Sequence, residues 1–223
     1  MVGLVFISDI AYCPYLKKYQ DIFEKAGVEY EVLYWKREKG SDLADKKFKY
    51  FDLPSKKNRS PFRKIKDFYL FRRWLIKKIK ERNYTNIVLL STLSGMVISD
   101  ILLRDYKGKY IFDIRDYSYE EIAFFKAIEK KLIHNSYFTC VSSPGFLNFL
   151  PDYENYILTH NFDKYELKNE RSFIKKTYGE TLNLVFLGGV RYFKHQREII
   201  INLSNDPRFN LVYHGSGIEL NKF

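Results

Sequence analysis

The chain has 223 residues, 46% hydrophobic and 29% charged, with 38 Lys/Arg against 27 Asp/Glu for a formal net charge of +11. That length allows one ample core, or one full domain and part of a second, and excludes two large domains. The composition is that of a folded globular protein and excludes a disordered tail or a membrane bundle.

Leu4-Val-Phe-Ile-Ser8 is a short apolar run of the kind that forms a strand buried on both faces. Pro14 suits a helix first turn, and Tyr15 to Ala26 carries helical periodicity before Gly27 stops it. Tyr30-Glu-Val-Leu-Tyr-Trp35 is the next strand, completing a βαβ unit. Residues 36–60 are polar and irregular, with a short strand expected at Lys49–Leu53. A long helix is expected over Pro61–Arg82, its apolar side formed by Phe62, Ile65, Phe68, Tyr69, Leu75, Ile76 and Ile79. The pattern continues as strand Ile87–Leu90, helix Gly95–Arg104, strand Tyr110–Asp113, helix Tyr119–His134 and strand Tyr137–Val141. A short helix after Pro144 and strand Tyr156–Leu158 complete this part. Such alternation predicts right-handed crossovers in a doubly wound parallel sheet, with ligands beyond the strand carboxyl ends. Residues 163–181 lose the apolar pattern and read as a linker. Strand Leu184–Leu187, a helix over Lys194–Leu203 and strand Phe209–Tyr213 then form one more βαβ unit.

Several classes drop out. Cys13 and Cys140 lack metal-ligand spacing, as do His134, His160, His195 and His214, so neither a disulfide framework nor a metal site is expected. Met1–Ile7 has no basic region and meets Asp9 too early for a signal peptide, and Asn86–Ser99 is too short and polar to span a bilayer. A cytoplasmic protein is the expectation.

The positive charge is local: residues 36–82 hold 18 Lys/Arg against 6 Asp/Glu, while the remainder is nearly balanced. Arg63, Lys64, Lys66, Arg72, Arg73, Lys77 and Lys78 punctuate the long helix, with Trp74 among them. A basic amphipathic helix carrying aromatics suits an anionic membrane surface, here the inner face of the cell membrane, with Trp74 as a candidate for insertion at the interface. The plainer reading is a core-facing helix with a solvated basic side.

The last βαβ unit carries a resemblance. Leu184-Val-Phe-Leu-Gly-Gly-Val-Arg-Tyr-Phe-Lys194, then a helix, then Leu211-Val-Tyr-His-Gly-Ser-Gly217, resembles the opening of the donor-binding domain of GT-B fold glycosyltransferases, particularly family four. The resemblance implies that Gly188, Gly189, Gly215 and Gly217 let backbone N–H groups approach the donor diphosphate while Arg191 and Lys194 neutralise it, with no metal or cofactor. Lys194 stands six residues after Gly188 as the family pattern has it, whereas Arg191 stands three after, where the family has Arg directly following. The alternative is a Gly-Gly turn followed by solvated charges.

Ile111-Phe-Asp-Ile-Arg-Asp-Tyr117 resembles the family's cleft loop, making Arg115, Asp116 and Asp113 candidates there, with a local ion pair as the alternative. Thr159-His-Asn-Phe-Asp163 resembles the signature that closes the first domain, though Phe162 replaces its usual form and the Gly is missing. In the first loop, Ser8-Asp-Ile-Ala-Tyr-Cys-Pro14, Asp9 and Tyr12 are acceptor-side candidates, but the glycine usual in the family is absent.

The implied organisation is an acceptor-side Rossmann-like domain over 1–162, a linker over 163–181 and the start of a donor domain over 182–223. The implied reaction transfers a sugar from a nucleoside diphosphate sugar to a glycan or lipid-linked acceptor in surface polysaccharide synthesis, with retention. A later pair of glutamates expected in the family has no room after Gly217, where Glu219 stands alone among six residues. The sequence therefore reads as a chain cut short, a truncated frame or a split protein needing a second subunit, inactive by itself. Two other classes stay open: a non-catalytic partner subunit completing such an enzyme, and a nucleic-acid-binding α/β module, against which no recognition motif is visible.

Overall fold

A computed structural model describes residues 1–37, 45–55, 60–117, 119–161, 181–189 and 193–216, with Pro61, Phe193–His195 and Ser216 described by backbone only. The chain divides into two compact units, 1–163 and 164–223.

The first unit is a seven-stranded, all-parallel sheet in the order β3-β2-β1-β4-β5-β6-β7. Its strands are β1 Val2–Phe6, β2 Tyr30–Lys36, β3 Phe48–Asp52, β4 Asn86–Leu89, β5 Tyr110–Ile114, β6 Phe138–Val141 and β7 Tyr156–Leu158. The sheet separates two cores, because alternate side chains of each strand point to opposite faces. Val5, Leu33, Trp35, Leu89, Phe112 and Ile114 meet α2 Pro61–Arg82, α4 Ser99–Asp105 and α5 Ala123–Asn135 on one side. On the other, Leu4, Phe6, Val32, Tyr34, Val88 and Leu90 meet Tyr15 and Leu16 at the start of α1 Leu16–Lys25. This is the doubly wound, Rossmann-like α/β architecture that the strand–helix alternation predicts.

Local chemistry sets the element ends. Gly27 at φ +63° follows α1, and Asn83 at φ 49° follows α2 with its N–H donating to the Ile79 carbonyl at 3.0 Å. These are left-handed caps, and Pro61 opens α2 where its missing donor costs nothing. The helix expected over Gly95–Arg104 is two helices, α3 Thr92–Val97 and α4, separated by Ile98 with φ −123° and ψ 25°. Ser91 starts α3 three residues early by accepting the Ser94 N–H at 3.2 Å. The reset brings Ile98, Ile101 and Leu102 together into the core. At Gly95 a Cβ would lie 2.8 Å from the Phe112 ring, so only glycine lets α3 cross β5.

Two further expectations are corrected. The helix expected from Tyr119 begins at Ala123, because the preceding segment packs instead: Tyr119 meets the Phe125 ring edge-on at 5.6 Å and Tyr117 meets Phe149 at 4.9 Å. The apolar residues assigned to one side of α2 lie on two. Phe71, Leu75 and Ile79 are buried with Phe68 and Trp74 packed beside them, while Phe62, Ile65 and Tyr69 are exposed.

The second unit pairs β8 Leu182–Gly189 with β9 Phe209–Ser216 in parallel, joined through α6 Phe193–Ser204. Phe186 and Tyr213 bring their rings within 5.0 Å on one face of this ribbon.

Candidate functional site

The order of the large sheet reverses between β1 and β4, and that switch point is where a parallel sheet opens a crevice beyond its carboxyl ends. Serines tie the two exits together: the Ser94 hydroxyl accepts the Ile7 N–H at 3.1 Å and lies 2.7 Å from the Ser91 hydroxyl. Asp9, two residues beyond Ile7, is 2% exposed and accepts the Arg37 N–H at 3.0 Å, so β1 and β2 are also joined at their exits. Arg37 donates to the Ile7 carbonyl at 2.9 Å and lies 4.0 Å over the Trp35 ring. Asp9 therefore sits at the crevice as part of its frame, while Tyr12, in the 3₁₀ turn Ile10–Tyr12, is 54% exposed.

The strand β5 exit is organised around Arg115. Its guanidinium reaches both carboxylate oxygens of Asp113 at 2.6 Å and donates to the Thr159 carbonyl at 2.6 Å and to Asn161 Oδ1 at 2.9 Å. It also lies 4.4 Å over the Tyr15 ring. The Tyr19 hydroxyl donates to Asp113 at 2.7 Å, and Tyr15 donates to the Leu90 carbonyl. Burial pushes the Asp113 carboxyl upward against the opposing pull of Arg115 and Tyr19. Arg115 and Asp113 thus neutralise each other's charge at the strand end, and Arg115 clamps the turn after β7, to which Lys18 adds a bond with the His160 carbonyl at 2.8 Å. Asp116, next in sequence, is exposed at the same edge.

Sequence reading overlooked Ser91, Ser94, Tyr15 and Tyr19, which connect this frame. The Ser-x-x-Ser spacing after a buried strand is an N-cap signal that marks the first pair. The tyrosines carry no local signal, since their partners lie 75 to 94 residues away.

In the second unit the register sets Gly188 beside Gly215 and Gly189 beside Ser216. Two glycine-bearing strand ends separated by 26 residues of sequence become neighbours at one carboxyl edge. Gly188 has φ +142° and no heavy atom within 4 Å of a Cβ built on it, so its backbone faces open space. Lys194 lies in the first turn of α6, and Arg191 and Gly217 fall outside the described residues.

The basic positions of α2 separate into two groups. Arg72 forms a bidentate pair with Asp100, both contacts at 2.8 Å, and Lys77 and Lys78 share Glu81. Trp74 does not stand out toward an interface: its ring packs inward, 5.9 Å from Phe71 and 6.0 Å from Phe51, because the adjoining Phe71 and Leu75 turn that side to the sheet. Arg63, Lys64, Lys66 and Arg73 are exposed. Among the described residues, no cluster of three or more His, Cys, Asp or Glu could hold a metal ion, and no helix is long and apolar enough to cross a membrane.

No protein-family model matches the sequence, and no curated protein matches it. Among solved structures, the chain is similar to a sucrose-phosphate synthase from Thermosynechococcus elongatus, with a TM-score of 0.59 at 12% identity over 96% of this chain. This chain spans 62% of that protein's length. At that identity the likeness shows the fold alone, a Rossmann-like α/β architecture, which the parallel sheet displays directly.

Proposed function

We propose that this chain forms part of a glycosyltransferase that moves a sugar from a nucleoside diphosphate sugar to an acceptor hydroxyl. The observation that carries the reading is the register of the second unit. Gly188 and Gly189 end one strand beside Gly215 on the next, with a lysine in the first turn of the intervening helix. Bare backbone at a strand's carboxyl edge lets N–H groups approach an anion, and a lysine adds the charge that a departing diphosphate requires. In this reading Gly188, Gly189, Gly215, Gly217, Arg191 and Lys194 hold the diphosphate. The crevice of the first unit takes a glycan or lipid-linked acceptor, with Asp9, Tyr12 and Asp116 at its edge and Asp113 and Arg115 as the brace beneath. The domain division at 162, the linker to 181, the retained configuration and a role in surface polysaccharide assembly belong to the same proposal.

The test is titration of the 223-residue chain with UDP, GDP and ADP and with the matching monophosphates, followed by saturation-transfer NMR. A diphosphate preference of about tenfold or more is expected, abolished by Gly188→Val and weakened by Lys194→Ala, with matching urea-unfolding curves verifying that both variants fold. Equal binding of mono- and diphosphates, or a preference untouched by Lys194→Ala, overturns the assignment.

A further inference from the structure

We propose that the first turns of α2 dock the protein on an anionic membrane surface, with Phe62, Ile65 and Tyr69 as its apolar anchors. Phe62, Ile65 and Tyr69 are 85%, 67% and 57% exposed. At 100° per residue they share an arc of about 100° with Lys66 and Arg73, centred opposite the buried Phe71 and Leu75. They therefore face away from the side that buries Phe71 and Leu75, and Tyr69, one turn further along the helix, is exposed on the same side as the first two.

Charge selects the occupant. Arg63, Lys66 and Arg73 flank the three apolar side chains, and Arg73 leans over the Tyr69 ring at 6.0 Å. Asp67 is the one acidic residue between Pro61 and Arg73, and it is buried on the opposite side, where it accepts the Ser55 hydroxyl at 3.1 Å and feels the Arg37 guanidinium. The outward arc of the helix accordingly carries cationic and apolar side chains and no acid of its own, and the neighbouring Asp100 carboxylate is held by Arg72. A protein partner would need matching acids around an apolar socket, whereas a bilayer offers both at once: anionic headgroups at the surface and acyl chains a few ångströms below. The inference does not depend on the glycosyltransferase reading.

The experiment is cosedimentation of the full chain at low salt with phosphatidylcholine vesicles and with vesicles containing phosphatidylglycerol. Selective recovery with the anionic vesicles is expected. R63Q/K66Q/R73Q should lower the partition coefficient on the order of 100-fold, about fivefold per charge. F62S/I65S/Y69S should lower it by about tenfold or more, while F62L/I65L/Y69L keeps it near wild type. Matching urea-unfolding curves verify that the variants fold, as the exposure of these side chains implies. Equal recovery with both vesicle types, or unchanged binding by the serine variant, overturns the proposal. Tighter binding of a random DNA duplex than of anionic vesicles at the same salt also overturns it and assigns the patch to nucleic acid.

Discussion

Replacing Arg115 by methionine should destabilise the first unit by about 3–5 kcal/mol at pH 8, the usual cost of stranding one partner of a buried ion pair. The structure shows where that energy goes. Asp113 is fully buried, and without the guanidinium its carboxylate would keep the Tyr19 hydroxyl as its described donor. The Thr159 carbonyl and Asn161 side chain lose their donors, and the Tyr15 ring loses its cation. The penalty is also pH-dependent, with a definite sign. Burial already pushes the Asp113 carboxyl up, and removing Arg115 raises it further above its unfolded value near 4. A raised folded-state value means stability is greatest when the group is protonated and falls as pH rises through that value. The variant should therefore recover about 2 kcal/mol relative to wild type between pH 8 and pH 4.5. Urea denaturation followed by far-ultraviolet circular dichroism measures both quantities, and D113N/R115M should restore most of the loss at pH 8. A single-variant penalty below about 1 kcal/mol, or one identical at both pH values, refutes the buried-pair reasoning.

The second prediction concerns Glu129, which is 1% exposed on α5 and pushed up to about 8 by burial and the neighbouring Glu120. Because its folded value is raised, the stability it allows is complete below pH 4 and lost as pH climbs toward 8. E129Q should be more stable than wild type by about 2–4 kcal/mol at pH 8.5 and equal to it at pH 4, which parallel urea titrations would check. The third concerns the thiols. Burial pushes Cys13 up to about 12 and Cys140 up to about 11. Ellman's reagent at pH 8 should modify neither in the folded protein and both in denaturant, with rates differing by about 100-fold or more.

Most of the sheet was legible because parallel strands buried on both faces write themselves as unbroken apolar runs, as Leu4–Ile7 and Ile87–Leu90 do. The two-faced character of α2 was not. Phe62, Ile65 and Tyr69 satisfy helical spacing as well as Phe71, Leu75 and Ile79 do, and periodicity does not say which of two apolar arcs meets the core. That decision belongs to the sheet: Trp35 stacks on Phe71 at 5.4 Å and so sets the rotation of the helix. The candidate site shows the same limit. Asp-Ile-Arg-Asp at a strand end could be read as reactive side chains or as a brace, and the difference lies in Tyr19, Thr159 and Asn161, none of them near in sequence. The glycines of the second unit were legible individually, but their side-by-side placement required the register of β8 on β9.

Trp35 and Trp74, the only tryptophans in the chain, lie in one aromatic stack between β2, β3 and α2, together with Phe51, Phe68 and Phe71. Intrinsic tryptophan emission is therefore a local gauge of the β3 edge of the first unit, and residues 164–223 carry no tryptophan of their own. A fluorescence melt could follow one clean sigmoid while the β8–β9 ribbon opens unseen, so coincidence with circular dichroism is the proper test of whether the units unfold together.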